Sequence, residues 1–422
     1  MKLHFLGGAL EVGRSSVLME ERELRLVLDY GIKLFDHQGV PLHPLSPDAA
    51  IISHAHLDHS GALPTLYKHQ SIASFCTFPT APLMNLLLED ALKVAERRGK
   101  TPPFSVKELK AMNKNLILLP YGRDYEFFDG TTFNFLDAGH VMGSTQIFVK
   151  GASGKNVLYS GDFKMEETKM HKGAALCDEP VHALVMESTY ATADHPPRRE
   201  LEKILCSRVR ETIESGSTVL LPCFALGRTQ ELLEVLHAHG IERKFEKVFL
   251  DGMGTSVNEI YAEYPSYLKN YRSFADALNK SKRVESRGQR RKIAQTPCII
   301  ITTAGMLEGG PALDYLSILN ERGKGRVFLT GYQVEGTNGR LLLEQGKIRD
   351  RGKVKKINLP VEFYDFSAHA GRSDLLRYVK KLNPEKVFCM HGDEANCKAL
   401  AETLSGEGFD AFAPKLGERH EV

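Results

Sequence analysis

Through the first part of the chain, apolar positions come in short β-rich runs bounded by Gly, Asp and Asn: "KLHFLGG", "SSVLME", "LRLVLDYG", "DAAIISH", "TFNFLDAGH", "QIFVKG", "NVLYSGD" and "HALVMEST". These predict strands, and the strongest of them end at a His, Asp or Glu. Between them, "APLMNLLLEDALKVAERRG" and "SVKELKAMNKN" carry apolar residues at helical spacing. From about Asp194 the texture changes to regular alternation of helix and strand: "RRELEKILCSRVRETIESG", "STVLLPCFA", "GRTQELLEVLHAHG", "KVFLDG", "PCIIITTAG" and "RVFLTGY". That alternation predicts βαβ units and a parallel sheet. A basic hinge, "EQGKIRDRGKVKKINLPVEFYDF", leads into "SAHAGRSDLLRYVKKLNPEKVFCMHGD", again strand, helix, strand, with histidines at strand ends. The predicted class is α/β, with helices covering sheet faces. No internal repeat or low-complexity segment interrupts it, and no window supplies ~18 consecutive apolar residues, so no transmembrane helix is expected.

Charge changes the picture by region. The chain of 422 residues is 42% hydrophobic, enough for buried cores, and its formal net charge is only +2. It is therefore not a basic wrapper for nucleic acid as a whole. From Asp194 to Gly352, however, 25 Lys and Arg stand against 20 Asp and Glu, a local +5 that leaves the remainder at −3. The densest run, "KSKRVESRGQRRK" from Lys280 to Lys292, holds seven cationic residues and one glutamate. It reads either as a solvated face or as a contact with a phosphate backbone, through Arg290, Arg291 and Lys292. Seven cysteines are scattered without a C-x-x-C pair, mostly in apolar surroundings. Reduced core thiols are expected, and with them a cytoplasmic protein that has neither signal peptide nor membrane anchor.

The chemistry concentrates in "IISHAHLDHSGALP", Ile51 to Pro64, where three histidines and an aspartate fall within six residues. His54 and His56 are two apart at the end of an extended segment, so both side chains leave the same side and can reach one metal. Asp58 and His59 come after the turn and can serve a second. Buried together without a cation, such a group would cost several kcal/mol in desolvated polar groups. A two-metal site needs further ligands, also at strand ends: "LDAGHVMGS" offers His140, "YSGDF" offers Asp162 as a bridging carboxylate, and "VFCMHGD" offers His391. The set closes as His54, His56 and His140 on one zinc ion, Asp58, His59 and His391 on the other, with Asp162 between. Asp29, in "LVLDYG", is expected to accept hydrogen bonds that hold the histidine loop. The lone histidines His4, His37, His171, His182 and His237 read as ordinary core or surface residues.

"HAHLDHSG", "GH" at 139 to 140, "GDF" at 161 to 163 and "LDYG" resemble the metallo-β-lactamase fold, an αββα sandwich with metals at one sheet edge. "MESTYA" with Glu187, "DFSAHAGR" with His369 and "CMHGD" with His391 are similar to motifs A, B and C of the β-CASP nucleases. A histidine in motif C is typical of the members that act on RNA. The resemblance implies a metallo-β-lactamase domain in two parts, 1–193 and 353–422, around an inserted β-CASP domain of parallel α/β type at 194–352. "HAHLDHSGALP", "ALEVGRSS" and "GRTQELLEVL" look closest to the nuclease subunit of the cleavage and polyadenylation specificity factor and its prokaryotic relatives, with the 5′ exonuclease RNase J as the alternative. The chain begins at the first strand and stops about thirty residues after motif C, so extensions found in those relatives are not expected. A homodimer, or assembly with other RNA-processing subunits, is left open.

The expected reaction is two-zinc hydrolysis of single-stranded RNA, mainly endonucleolytic, leaving 5′-phosphate and 3′-hydroxyl ends. Asp58 would orient the nucleophile, His369 would protonate the leaving 3′-oxygen, and Glu187 would hold His369 and keep it charged. Arg228, at a helix start after a strand, and the Gly-rich turns "TTAGMLEGGP" and "TGYQVEGTNGR", with Thr303, Gly305, Tyr332 and Arg340, are candidates for gripping the RNA, although each glycine also reads as a simple turn. A catalytically dead scaffold would have lost ligands that are all present here. A thioesterase of this fold would need neither motif B nor the basic insertion.

Overall fold

The period-two runs pair into two seven-stranded sheets. One runs in the order Arg419–Glu421, Lys2–Gly7, Ser16–Glu21, Leu24–Leu28, Ala49–Ile51, Ala73–Thr77, Leu116–Leu119; the other in the order Asp410–Phe412, Lys386–Met390, Ala183–Glu187, Asn156–Tyr159, Thr145–Lys150, Thr132–Asp137, Tyr125–Glu126. The computed structural model describes residues 1–33, 39–241, 247–350 and 352–422; His37 and Arg351 of the basic hinge lie outside these.

Strand alternation decides what each sheet face touches. Val157 and Tyr159 of one strand, with Ala183 and Val185 of the next and Phe388 and Met390 of a third, point toward Phe5, Val17, Leu26 and Ile51 of the opposite sheet. The intervening Leu158, Leu184, Met186, Val387 and Cys389 point the other way, onto Leu375, Tyr378, Val379, Leu400 and Leu404 from the helices Arg372–Leu382 and Glu394–Gly406. Both faces are buried, which is why these strands read as unbroken apolar runs rather than as clean alternation. Each large side chain sealed this way stabilises the sandwich by roughly 1.5–3 kcal/mol. The helices Thr80–Arg97 and Val106–Lys114 come between the strands Ala73–Thr77 and Leu116–Leu119, burying Leu83, Met84, Leu88, Leu109 and Met112.

Strand direction, more than packing, decides where the polar strand ends meet. Asn156–Tyr159, Ala183–Glu187 and Lys386–Met390 are parallel neighbours, and Thr132–Asp137 is antiparallel to a strand that is antiparallel to Asn156–Tyr159. All four therefore end at the same edge. In the other sheet Leu24–Leu28 and Ala49–Ile51 are likewise parallel. Every residue of the predicted metal set lies just beyond one of these ends.

The chain divides into two compact units: Met1–Glu167, Gly173–Asp194 and Ala368–Val422 form the first, Thr168–Lys172 and His195–Ser367 the second. The second unit thus runs beyond residue 352. The reason is the strand Val361–Phe363, which pairs in parallel with Gly325–Leu329 and so belongs to the second unit's sheet. That sheet has six strands, all parallel, in the order Lys282–Arg283, Val248–Asp251, Ile299–Thr302, Thr218–Pro222, Gly325–Leu329, Val361–Phe363. Among the described residues, no helix is long and apolar enough to cross a membrane.

Arg290 corrects one expectation. Rather than presenting its guanidinium for a phosphate, it donates Nε and Nη2 to the two oxygens of Asp251 at 2.8 and 3.1 Å, and Nη1 to Asp314 at 2.6 Å. Asp251 is buried and also accepts from the Tyr315 hydroxyl at 2.9 Å. The fork geometry of arginine ties the short helix Arg287–Ile293 to the end of the strand Val248–Asp251. Arg291 and Lys292 remain exposed. Arg290→Met should therefore destabilise the protein by about 3 kcal/mol, since it leaves a buried carboxylate uncompensated, whereas Arg291→Gln should change stability by less than ~0.5 kcal/mol. Urea unfolding of both variants reads the difference; equal small losses would mean that Arg290 carries no structural load.

Candidate metal centre

Asp29 is the hub on which the histidine loop hangs. It comes directly after the strand Leu24–Leu28 at φ +57°, in the left-handed region, and is fully buried. One carboxylate oxygen accepts the Ser53 backbone N–H at 2.7 Å. The other accepts the Ser53 hydroxyl at 2.7 Å, the Tyr159 hydroxyl at 2.8 Å and His59 Nδ1 at 2.7 Å. Because Ser53 gives its only proton to Asp29, its oxygen is left to accept from His54 Nδ1, 3.1 Å away. His140 Nδ1 donates to the Ala368 carbonyl at 2.9 Å. The Nδ1 protons of His54, His59 and His140 are thus all occupied, which leaves Nε2 of each ring as the nitrogen able to ligate.

Those nitrogens converge on Asp162. His54 Nε2 and His140 Nε2 lie 3.1 and 3.2 Å from His56 Nδ1, and 3.6 and 3.7 Å from Asp162 Oδ2. Four donors about 2.0–2.1 Å from one zinc ion in tetrahedral array stand roughly 3.3 Å apart, so these four have the spacing of an ion's ligands. Asp162 Oδ1 faces the second group, with His391 Nδ1 at 3.0 Å and His59 Nε2 at 3.3 Å; His391 Nε2 is 3.4 Å from Asp58 Oδ2. His59 Nε2, His391 Nδ1 and Asp162 Oδ1 are all buried and none is aligned as a hydrogen bond. Orphaned acceptors and imidazole nitrogens aimed at a common point fit a cation there. Among the described residues three groups could hold an ion: His54, His56, His140 and Asp162; Asp58, His59, His391 and Asp162; and Asp162, Glu187 and His369.

Two backbone devices deliver this. Gly161, at φ +53°, turns the chain just before Asp162, and a Cβ there would come within 2.8 Å of the Ser53 side chain. His391 itself sits at φ +50°, its N–H bonded to the Gly8 carbonyl at 2.7 Å and its carbonyl accepting from the Thr189 hydroxyl at 3.1 Å. Left-handed non-glycine residues at Asp29 and His391, both immediately after strands, are strain of the kind held at functional sites.

His369 stands beside the two groups. Its Nδ1 donates to Glu187 Oε2 at 2.8 Å and lies 4.0 Å from Asp162 Oδ2, and its side chain is 22% exposed. Glu187 is pinned in turn, its other oxygen accepting the Phe163 N–H at 2.9 Å. Burial opposes the charged imidazole of His369, but Glu187 and Asp162 outweigh it and raise its pKa. Elsewhere the electrostatics divide. Burial, together with neighbouring imidazoles, pushes His54 and His140 well below the usual value. Against the same burial, Asp162 raises His59 well above it and His391 to about 10.

Comparison with known proteins agrees with this geometry. Residues 11–168 match the metallo-beta-lactamase superfamily, residues 229–342 the Beta-Casp domain, and residues 354–414 the Zn-dependent metallo-hydrolase RNA specificity domain. The chain is 36% identical to Probable RNase MJ4 of Methanocaldococcus jannaschii, over 99% of both chains. It belongs to the β-CASP ribonucleases of the metallo-β-lactamase superfamily. Other members it resembles are RNase aCSPSF2 of Saccharolobus solfataricus, 36% identical over 99% of this chain and 84% of that one, and an RNase J-like protein of M. jannaschii, 34% identical over 95% of each. A crystal structure of a protein of unknown function from Enterococcus faecalis shares the fold, with a TM-score of 0.63 over 99% of both chains at 14% identity. Membership makes this β-CASP chain a metal-dependent RNA hydrolase, and its buried His and Asp cluster fits the metal site.

The residues expected at RNA fall differently. Arg228, Thr303, Gly305 and Tyr332 all lie past the C-terminal ends of three adjacent strands in the second unit, Ile299–Thr302, Thr218–Pro222 and Gly325–Leu329. Arg340 lies apart on the helix Asn338–Gln345, where Nε donates to Glu344 at 2.6 Å. None of His4, His171, His182 and His237 joins a metal-binding group. Sequence reading missed Ser53 and Tyr159, which complete the Asp29 network, and Lys164, a buried lysine whose Nζ donates to the His369 carbonyl at 3.1 Å. Lys164 stands two residues after Asp162, and its place in "GDFK" was the available signal.

The raised imidazoles give a pH dependence with a defined sign. At neutral pH the metal-free protein holds protons on His59 and His391, and metal ligation must displace them. Zinc affinity should therefore climb with pH through the neutral range, by roughly one to two log units per pH unit, and calorimetry in buffers of different ionisation enthalpy should find one to two protons released per chain. Zero release would mean that these imidazoles are already neutral.

Proposed function

We propose that this β-CASP enzyme uses two zinc ions to cut single-stranded RNA internally, in RNA 3′-end processing or decay, leaving 5′-phosphate and 3′-hydroxyl ends. The observation that carries the reading is His369 held by Glu187 at 2.8 Å, beside two four-residue ligand groups that share Asp162 and contain neither His369 nor Glu187. His54, His56 and His140 would hold one ion and Asp58, His59 and His391 the other, with an oxygen of Asp162 facing each group. When bound, the ions supply a water activated at neutral pH and neutralise charge building on the phosphate. Asp58, whose side chain is 25% exposed, is placed to orient the attacking water's proton. Since Nδ1 of His369 is committed to Glu187, Nε2 is the atom that delivers a proton to the departing 3′-oxygen. Glu187 fixes the ring's orientation and favours its protonated form. All seven cysteines are free thiols, consistent with action in the reducing cytoplasm.

The likeness to an RNase J-like protein supports a second reading, a 5′-to-3′ exonuclease. Digestion of 5′-labelled and 5′-triphosphorylated RNA separates the two. Internal cutting should give a ladder insensitive to the terminal group, whereas released mononucleotides whose yield depends on that group would favour the exonuclease. The general acid has its own test. His369→Ala should keep folding and metal content, and should lose ~10²- to 10⁴-fold in rate on normal RNA. It should lose far less on RNA whose bridging 3′-oxygen is replaced by sulfur, because that leaving group hardly needs a proton. Equal impairment on both substrates, or loss of metal, would show His369 to be a positioning group or a ligand.

A further inference from the structure

Arg228 is buried to 8% exposure, yet among the described residues no hydrogen bond or ion pair engages its guanidinium, and its Nε is sealed without a partner. A guanidinium withdrawn from water normally acquires a carboxylate, because the uncompensated charge is costly. Here the nearby acids are engaged elsewhere: Glu231, one turn along the same helix, accepts from Arg198 at 2.7 Å, and Asp365 pairs with His195 Nδ1 at 2.7 Å. Arg198 and Arg228 lie over the same Phe366 ring, at 4.6 and 6.0 Å from its centroid, so two like charges face one aromatic surface. Burial and Arg198 together lower Arg228 to about 10, still fully charged at neutral pH. Glu231 and Asp365 favour its charge from nearby, yet among the described residues neither is hydrogen-bonded to it.

The surroundings are built for close approach of a ligand. Arg228 is the first residue of an eleven-residue helix, Arg228–Ala238, whose N-terminal amides favour an anion. It is delivered there by the loop after Thr218–Pro222, the strand between Ile299–Thr302 and Gly325–Leu329 in a wholly parallel sheet. The carboxyl ends of such strands are where open α/β sheets bind ligands. The loops from both neighbours close on this one through glycines. A Cβ at Gly305 would come within 2.9 Å of the Phe224 nitrogen, and one at Gly331 within 2.8 Å of the Phe224 ring. Next to Gly331, Tyr332 is left 47% exposed, a large aromatic face at the same sheet edge.

We propose that the second unit carries its own seat for single-stranded RNA, in which Arg228 binds a backbone phosphate and Tyr332 stacks on a neighbouring base. This rests on the proposed RNA substrate and adds where, outside the metal centre, the strand is held. A phosphodiester of RNA is the ligand, and inorganic phosphate presents the same chemistry without the base.

The experiment uses zinc-loaded full-length protein carrying His369→Ala, so that RNA survives the measurement. Binding of a single-stranded 12-mer is measured across a salt series. Arg228→Gln should weaken binding ~10-fold and make the slope of log K against log salt shallower by about 0.7, one phosphate contact on a single strand. Tyr332→Ala should weaken binding ~5- to 50-fold with the slope unchanged, because stacking carries no counterion release. Inorganic phosphate should raise the melting temperature of the parent but not of Arg228→Gln, and should leave the Tyr332→Ala response intact. Unchanged RNA affinity and slope in Arg228→Gln would overturn the proposal and leave Arg228 a packing residue on Phe366. Phosphate protection without any loss of RNA affinity would reduce the site to a free-anion site and overturn it as well. Should Arg228→Gln fail to fold, Tyr332→Ala decides, with unchanged affinity counting against the seat. Cleavage is not read in this assay. Protein that binds RNA through Arg228 while the His369 form cuts none would overturn the proposed function and leave this inference standing.

Discussion

A single buried carboxylate sets the terms for the first unit. Asp162 is 2% exposed, and its two oxygens face different imidazole groups, His54 and His140 on one side and His59 and His391 on the other. Removing a carboxylate from water is expensive unless positive charge meets it. The chain meets that demand from every side with residues that cannot all be protonated at once. His59 and His391 are drawn toward the cationic form, while burial keeps His54 and His140 neutral. A cation that replaced those protons would balance the cluster, which is how this His and Asp cluster fits a metal site.

The sandwich answers that constraint. Candidate ligands from four separate stretches can meet only if their strands end at one edge, and the parallel neighbours Asn156–Tyr159, Ala183–Glu187 and Lys386–Met390 provide it. Close-packed faces on both sides of that sheet hold the ends to fractions of an ångström. The Asp29 network then commits Nδ1 of His54 and of His59 as donors, which packing alone cannot do. Glu187 shows the same economy, with one oxygen holding its own sheet's loop and the other holding His369.

Much of this was legible in the sequence, because a metal site demands particular residue types at strand ends and such types are conspicuous after apolar runs. The seven-residue metal set and the Asp29 role could be assembled from "HAHLDH", "GH", "GDF", "MHGD" and "LDYG" alone. The structure brings those residues together. What the sequence hid were relations that depend on three-dimensional register. Ser53 and Tyr159 are ordinary strand residues until the sheets face each other, and nothing local marks them as donors to Asp29. Arg290 sits in a run of cations that reads uniformly, and only the fold shows that Asp251 and Asp314 have claimed it while Arg291 and Lys292 face solvent. The second unit's extent was likewise set by a strand, Val361–Phe363, too short and too polar to announce its partner.

If Asp162 joins two adjacent cation sites, crystals grown with zinc and measured with X-rays on either side of the zinc absorption edge should show it most directly. Two anomalous peaks are expected about 3.5–4 Å apart, one among His54, His56 and His140, the other among Asp58, His59 and His391, with an Asp162 oxygen on each. A single peak, or two peaks of which one lacks Asp162 as a ligand, would contradict a bridging role for this carboxylate.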